Sequence, residues 1–337
     1  MRIGAMFEPT AAAYYRGVYP LEAMERRGHE IVWPHDDSGD PKLDELEACD
    51  AVFVFRRSED HLRRSLKRLS ERGVAIVWDT DDDLSAIPKH SPTYKNVGAL
   101  KGQRRFADTV RMARTADVMT TTTDTIRAKY ERNGVTNIAV IENCLNRRSW
   151  RRSQRHSGIV IGWIAGVEHT EDLVQLRLRD VLANVVSAHP NVRVESVGVD
   201  IGLPERYTRQ PVAHFDDLPK HMARYDIGLA PLCDILFNNA RSNIKLKEYA
   251  ASGVAWLASP RKPYQGFGEK HGGLLVEDCD WEQAIERLVR DKKLRKKLGR
   301  NGKAWALSQT IDAAADQWEQ VFETAVKRAT LARSAAV

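Results

Sequence analysis

The sequence predicts an α/β protein: two Rossmann-like, doubly wound parallel-sheet domains, with a carboxyl-terminal helix crossing back to the first. Three observations predict it. Short apolar runs alternate with amphipathic stretches along nearly the whole chain, the pattern of parallel sheets covered on both faces. The alternation stops once, in the polar and basic stretch from Asn146 to Gly158, and then restarts. At 337 residues the chain is long for one core and suits two domains of about 150 residues each.

In the first domain, residues 1–146, the predicted strands are Ile3 to Phe7, Ile31 to Trp33, Ala51 to Phe55, Val74 to Trp78, Val118 to Thr121 and Ile138 to Ile141. Leu62, Leu66 and Leu69 mark an intervening helix by their spacing. Residues 147–157 form the linker. The second domain, residues 158–310, has strands predicted at Ile159 to Ile164, Val192 to Val197, Ile227 to Ala230, Val254 to Ala258 and Leu274 to Val276. From Trp281 onward the chain is helical. Its last part, residues 311–330, places Trp318, Val321 and Phe322 on one face, which needs a surface once the second sheet has closed; the first domain offers one.

A formal charge of +6 and a pI near 9.1 point to an anionic ligand or partner, a nucleotide or a nucleic acid alike. The four cysteines, Cys49, Cys144, Cys233 and Cys279, are far apart and form no Cys-x-x-Cys pair, which argues against a zinc site or disulfide framework and fits a reducing cytoplasm. The chain opens directly on a strand, without a charged-then-apolar leader, and no run reaches the length of a membrane span. A soluble cytoplasmic protein is expected, one still able to touch a membrane surface.

The segment Ser242 to Pro260 carries the most chemistry. It reads as a short helix with small polar residues at its start, a stop at Gly253 and a buried strand. A helix entered through Ser242 and Asn243 offers unpaired N–H groups and a positive dipole end to a phosphate. Lys245 and Glu248 share a face one turn on. Together they can hold a diphosphate, and the Glu248 carboxylate can accept from a sugar diol. The plain alternative is an amphipathic helix with solvated lysines.

Other groups lie at predicted strand ends, where open α/β sheets place their ligands. Asp79 to Asp83 follow one strand: Asp81 and Asp82 face a cleft and orient an acceptor hydroxyl, or the run binds a divalent ion, or it is a capped loop. Glu8, Tyr15 and Arg16 follow the first strand and can contact an acceptor, with Tyr14 and Tyr15 as helix anchors the alternative. His169 shares a loop with Gly162 and Gly166, whose lack of side chains permits close backbone approach. His214 and Phe215 precede a helix. Basic pairs such as Arg63-Arg64 and Arg104-Arg105 are either a solvated face or a track for an anionic polymer or membrane.

Asp226 to Leu232, Ser242 to Pro260 and the turn Val140-Ile141-Glu142-Asn143 resemble motifs of the GT-B glycosyltransferases, within them the large retaining family that includes sucrose-synthase-like members. The resemblance implies transfer of a sugar from a nucleoside-diphosphate donor, a UDP- or GDP-sugar, to an acceptor hydroxyl of a saccharide or lipid; the basic first domain permits the alternative of a DNA-modifying glycosyltransferase acting on a hydroxymethylated base. It implies retention, no metal and no further cofactor. Donor contacts would fall on Gly162, Gly166, Phe215, Arg241, Ser242, Asn243, Lys245 and Glu248, catalytic ones on His169, Asp81 and Asp82, and acceptor contacts on Glu8, Tyr15 and Arg16. Two departures stand out. The first of the family's two spaced glutamates is Ala240 here, with Asn238 or Asn239 as possible substitutes, and Trp163 and His169 stand where the family has its phosphate-binding Arg and Lys. A non-catalytic nucleotide- or nucleic-acid-binding protein of the same fold is the alternative of another class.

Overall fold

The computed structural model describes residues 1–8, 10–34, 42–91, 94–147, 156–211 and 215–336. The basic stretch of the linker, 148–155, and His214 lie outside the described residues.

The first sheet contains β1 (Arg2–Phe7), β2 (Glu30–Val32), β3 (Ala51–Phe55), β4 (Ala75–Thr80), β5 (Val118–Thr121) and β6 (Ile138–Val140), in the order β2-β1-β3-β4-β5-β6 and parallel throughout. The second contains β7 (Ile159–Ala165), β8 (Val192–Gly198), β9 (Tyr207–Gln210), β10 (Ile227–Ala230), β11 (Ala255–Ala258) and β12 (Gly273–Leu275), ordered β12-β11-β10-β7-β8-β9, again parallel. The central strands β3, β4 and β7 are buried along their whole length, which is why they read as unbroken apolar runs. β9 is not predicted. It is an edge strand whose sequence, Tyr-Thr-Arg-Gln, has its two middle residues exposed and no apolar run to betray it.

Each sheet reverses its winding direction once, beside β1 in the first domain and beside β7 in the second. Both reversals open crevices at strand carboxyl ends, and the two crevices face one another.

The last helix, Ile311–Ala336, is longer than predicted and packs on the first domain. Ile311, Ala314, Ala315, Trp318, Val321, Phe322, Ala325 and Ala329 recur every three or four residues and are buried. Trp318 and Phe322 meet the Phe53 ring edge-on at 5.9 and 6.3 Å. Burial of each ring contributes about 1.5–3 kcal/mol. Arg26 pairs with Asp312, and Arg27 with Asp316 and Glu319, along the helix flank.

A polar seam joins the domains. Lys247, 1% exposed, donates to Glu142 at 2.7 Å and to the Asn143 carbonyl at 2.9 Å. Asn143 donates to the Ser242 hydroxyl at 3.1 Å and Asn243 to Glu142 at 3.2 Å. Burial disfavours the Glu142 carboxylate, but Lys247 outweighs it and holds the group below its ordinary range. Beside the seam, Leu145 donates to the Gln309 carbonyl and accepts from the Ile311 N–H, both at 2.9 Å. The two passages of the chain between domains are thereby tied side by side.

Candidate functional site

Between the domains lies a cleft of about 380 Å³ at the carboxyl ends of β4, β7 and β10. Its second-domain wall begins where β7 gives way to the loop Gly166 to His169, and continues through the start of the helix Ile244–Ser252. Asn243 is the residue before the first turn, and its side chain makes no capping hydrogen bond to that turn. Ser242, Ile244 and Lys245 line the cleft, so an uncapped helix start borders it. Gly253, at φ +74°, ends the helix in the left-handed conformation that favours glycine.

Charge in the cleft is arranged in pairs. Lys245 lies 2.8 Å from Glu248, one turn along the same helix. Glu248 also accepts from the Tyr15 hydroxyl, across the cleft from the first domain. Burial first, and then the adjoining carboxylate, push the Tyr15 phenol well above its ordinary value, so it stays a proton donor. Arg241 reaches Glu168 at 3.1 Å and Asp82 at 3.6 Å, and stacks over the Phe237 ring at 4.5 Å. Its buried Nε has no partner among the described residues, so one donor remains to be used. Burial works against Glu168, yet Arg241 and then His169 prevail and hold it at about 2.

On the first-domain wall, Arg56 clamps Asp81 at 2.5 Å and Asp82 at 2.7 Å. Burial pushes Asp81 up to about 6 against the pull of Arg56. Asp83 points away, to Lys129 at 2.6 Å. Every carboxylate of the run Asp79 to Asp83 thus faces an arginine or lysine, which leaves the expected metal alternative without an unengaged carboxylate.

His169 donates through Nδ1 to Asp172 at 2.7 Å, and its Nε2 lies 3.4 Å from Arg241. Asp172 is 1% exposed and accepts in addition from the Cys233 N–H at 2.8 Å and the Asn238 side chain at 2.7 Å. Burial opposes its charge, but the His169 hydrogen bond leads a set that keeps it below its ordinary value.

Of the residues expected at the site, Asp81, Asp82, His169, Gly166, Phe215, Arg241, Ser242, Lys245, Glu248 and Tyr15 all line this cleft. Four placements are corrected. Arg16 is sealed in the first domain, bound to Asp79 at 2.6 Å and to the Ile141 carbonyl, because its position on the helix turns it under the strand ends rather than over them. Glu8 pairs with Arg105 at 2.7 Å, outside the cleft lining. Gly162 sits within β7, where a Cβ would overlap the Tyr225 ring; it serves packing. Asn243 is buried in the seam with its amide on Glu142. Asn238, a possible substitute for the missing glutamate, is committed to Asp172 and the Cys233 carbonyl.

Residues not singled out for the site include Arg56, Glu168, Asp172 and Gly198. Glu168 and Asp172 neighbour His169 in sequence, and a carboxylate three residues after a loop histidine was the available signal. Nothing local marks Arg56, whose φ of +59° and role depend on β3 ending beside β4. Phe215 stacks on Tyr14 of the first domain at 4.3 Å, so it bridges the lobes as well as lining the cleft.

Residues 177–320 match the family model described as glycosyl transferase-like. Over the whole chain the structure is similar to HepE of Anabaena solved with UDP and glucose, with a TM-score of 0.69 at 12% identity, covering 96% of this chain and 99% of that one. It is similar to sucrose-phosphate synthase of Thermosynechococcus elongatus, with a TM-score of 0.66 at 13% identity over 96% and 98% of the two chains. An alpha-glucosyltransferase solved with UDP and a 13-mer DNA containing a HMU base also aligns, with a TM-score of 0.66 at 10% identity over 96% and 99%. No curated protein shows significant sequence similarity to the chain. At these identities the likeness to the solved structures is one of fold, and the fold is GT-B.

Proposed function

From the premise of a GT-B fold whose second half carries the glycosyl transferase-like pattern, we propose that this chain transfers a sugar from a nucleoside-diphosphate sugar to an acceptor hydroxyl. The observation that supports it most is the grouping, on one wall of an interdomain cleft, of an uncapped helix start, Lys245, Glu248 and Arg241. An anionic leaving group docks there, with its growing negative charge met by fixed N–H dipoles and cations. Glu248 accepts from the donor ribose, a contact for which the Tyr15 hydroxyl now stands in. Phe215, Gly166 and His169 complete the donor side, and Asp81 and Asp82, held by Arg56, orient the acceptor hydroxyl. The UDP-bound relatives of the same fold make a UDP-sugar the first donor to test, with GDP-sugars as the alternative. Retention follows the family resemblance. Metal independence is supported by the pairing of the Asp79 to Asp83 carboxylates with cations.

An anionic polymer is the second reading for the acceptor, and a modified DNA base is its sharpest form. From Leu84 to Ala107 the first domain has no acidic residue but carries Lys89, Lys95, Lys101, Arg104 and Arg105. This stretch starts beside the cleft aspartates and touches the opposite lobe where His90 meets Glu171 at 2.6 Å. A basic stretch of this kind suits a phosphate backbone.

The test is transfer of radiolabelled sugar from a panel of UDP- and GDP-sugars, with and without EDTA, to saccharide, lipid and hydroxymethylated-DNA acceptors. Turnover lost in Glu248→Ala supports the assignment. Tight nucleotide binding with no transfer to any acceptor would favour the non-catalytic alternative. Transfer to duplex DNA that weakens steeply with salt would establish the polymer reading.

A further inference from the structure

The cations of the cleft are already matched. Arg56 has Asp81 and Asp82, Arg241 has Glu168 and Asp82, and Lys245 has Glu248. Leaving the imidazole aside, three cations among the described residues therefore face four carboxylates, a formal balance of 3 − 4 = −1 along the lining. A diphosphate brings further negative charge to a lining whose described side chains hold no surplus of positive charge beyond the N–H dipoles of the helix start, and in a partly dry cleft that repulsion is not screened away.

We propose that His169 is the switchable cation of this site: its Nε2 takes up one proton from solvent as a diphosphate docks, while Asp172 holds the ring in place and shares the charge. The inference rests on the donor reading of the cleft. No covalent bond changes; one solvent proton is bound for each diphosphate, and it leaves when the diphosphate leaves.

The geometry carries it in three steps. Asp172 cannot turn away, because Oδ1 is occupied by the Cys233 N–H and the Asn238 amide, leaving Oδ2 for His169 Nδ1. That bond fixes Nδ1 as a donor, so the neutral ring keeps its lone pair on Nε2, beside the cleft. Nε2 lies 3.4 Å from the Arg241 guanidinium, so an anion that engages Arg241 also comes within reach of Nε2. Of the described residues, Asp172, Glu168 and Arg241 bring charge to the ring, and the Trp163 ring lies edge-on to it at 6.2 Å. A lysine at this place would bring a permanent charge, whereas imidazole changes charge in the physiological range.

The experiment is isothermal titration of UDP and GDP into the whole protein, in EDTA, across about pH 6 to 8 and in buffers of different ionisation enthalpy, which reads protons taken up per nucleotide. Wild type is expected to take up a fraction of a proton approaching about one, with affinity falling by up to roughly tenfold per pH unit at the alkaline end. His169→Lys is expected to bind with no uptake. Asp172→Asn, checked for folding by circular dichroism, is expected to move the dependence to lower pH. Asp81 is the other group able to take a proton, and Asp81→Asn is expected to keep the uptake. Binding without uptake in wild type, or unchanged uptake in His169→Lys, would overturn the inference alone. Failure of both nucleotides to bind at any pH would overturn the donor reading and this inference with it.

Discussion

Two arginine–aspartate clusters lie close together, one sealed within the first domain and one at the cleft with an arginine of the second, and they differ in one respect. Arg16 and Asp79 are both fully buried, and their groups are widely satisfied: Asp79 accepts from Arg16 and from Thr120, and Arg16 also donates to the Ile141 carbonyl and Asn143. Arg56, Asp81, Asp82 and Arg241 use the same chemistry but border open space, and Arg241 keeps an unused N–H. Asp79 still lies within β4 and points into the domain, whereas Asp81 and Asp82 lie past the strand end. A sealed cluster fixes structure; an open one can exchange a protein partner for a ligand.

The sharpest way to break this comparison is to remove one member of the sealed pair. Arg16→Met is expected to cost about 3–5 kcal/mol, read from the urea midpoint, since it strands a buried carboxylate. If Arg16→Met instead kept its stability and altered acceptor KM, the distinction would fail. Removing an open-cleft carboxylate should do the reverse. Glu248→Ala is expected to lower UDP affinity by about 1.5–3 kcal/mol, roughly tenfold to a hundredfold, with little change in unfolding midpoint.

The pH dependence of stability sharpens it further. Glu168 is held at about 2 in the folded protein against an ordinary 4.5, so its ionised form stabilises the fold above about pH 4.5 and that contribution is lost as pH falls towards 2. The Tm advantage of wild type over Glu168→Gln should therefore be complete near neutrality and disappear in acid. An advantage that grew on acidification would refute the assignment. The smallest effect is expected from Tyr15→Phe, about 1 kcal/mol or less in stability, because Glu248 keeps Lys245 as its partner once the hydroxyl is gone. Its UDP affinity should hold or rise, as a competitor for the carboxylate is gone.

What was legible in the sequence follows from how each feature is encoded. The strands of both sheets announce themselves because burial on two faces demands apolar runs, and β9 escapes because an edge strand does not. The face of the last helix was readable from Trp318, Val321 and Phe322 alone. At the site, Lys245 and Glu248 were legible because helical spacing is local information. Arg16 was misplaced because strand-end position does not say whether a side chain turns over the sheet or under it. Arg56 and Asp172 were missed because their partners come from other parts of the chain: Asp81 and Asp82 for one, Cys233 and Asn238 for the other.

The paired hydrogen bonds at Leu145 have a mechanical consequence. Where the polypeptide passes from lobe to lobe and back, both crossings are fastened at one spot, like the spine of a book. The covers can part along the opposite edge with little disturbance at the binding, so the freedom left to the lobes is chiefly a single swing. Exposed contacts between the lobes away from that spine, such as His90 with Glu171, are then the ones to let go when a bulky molecule enters.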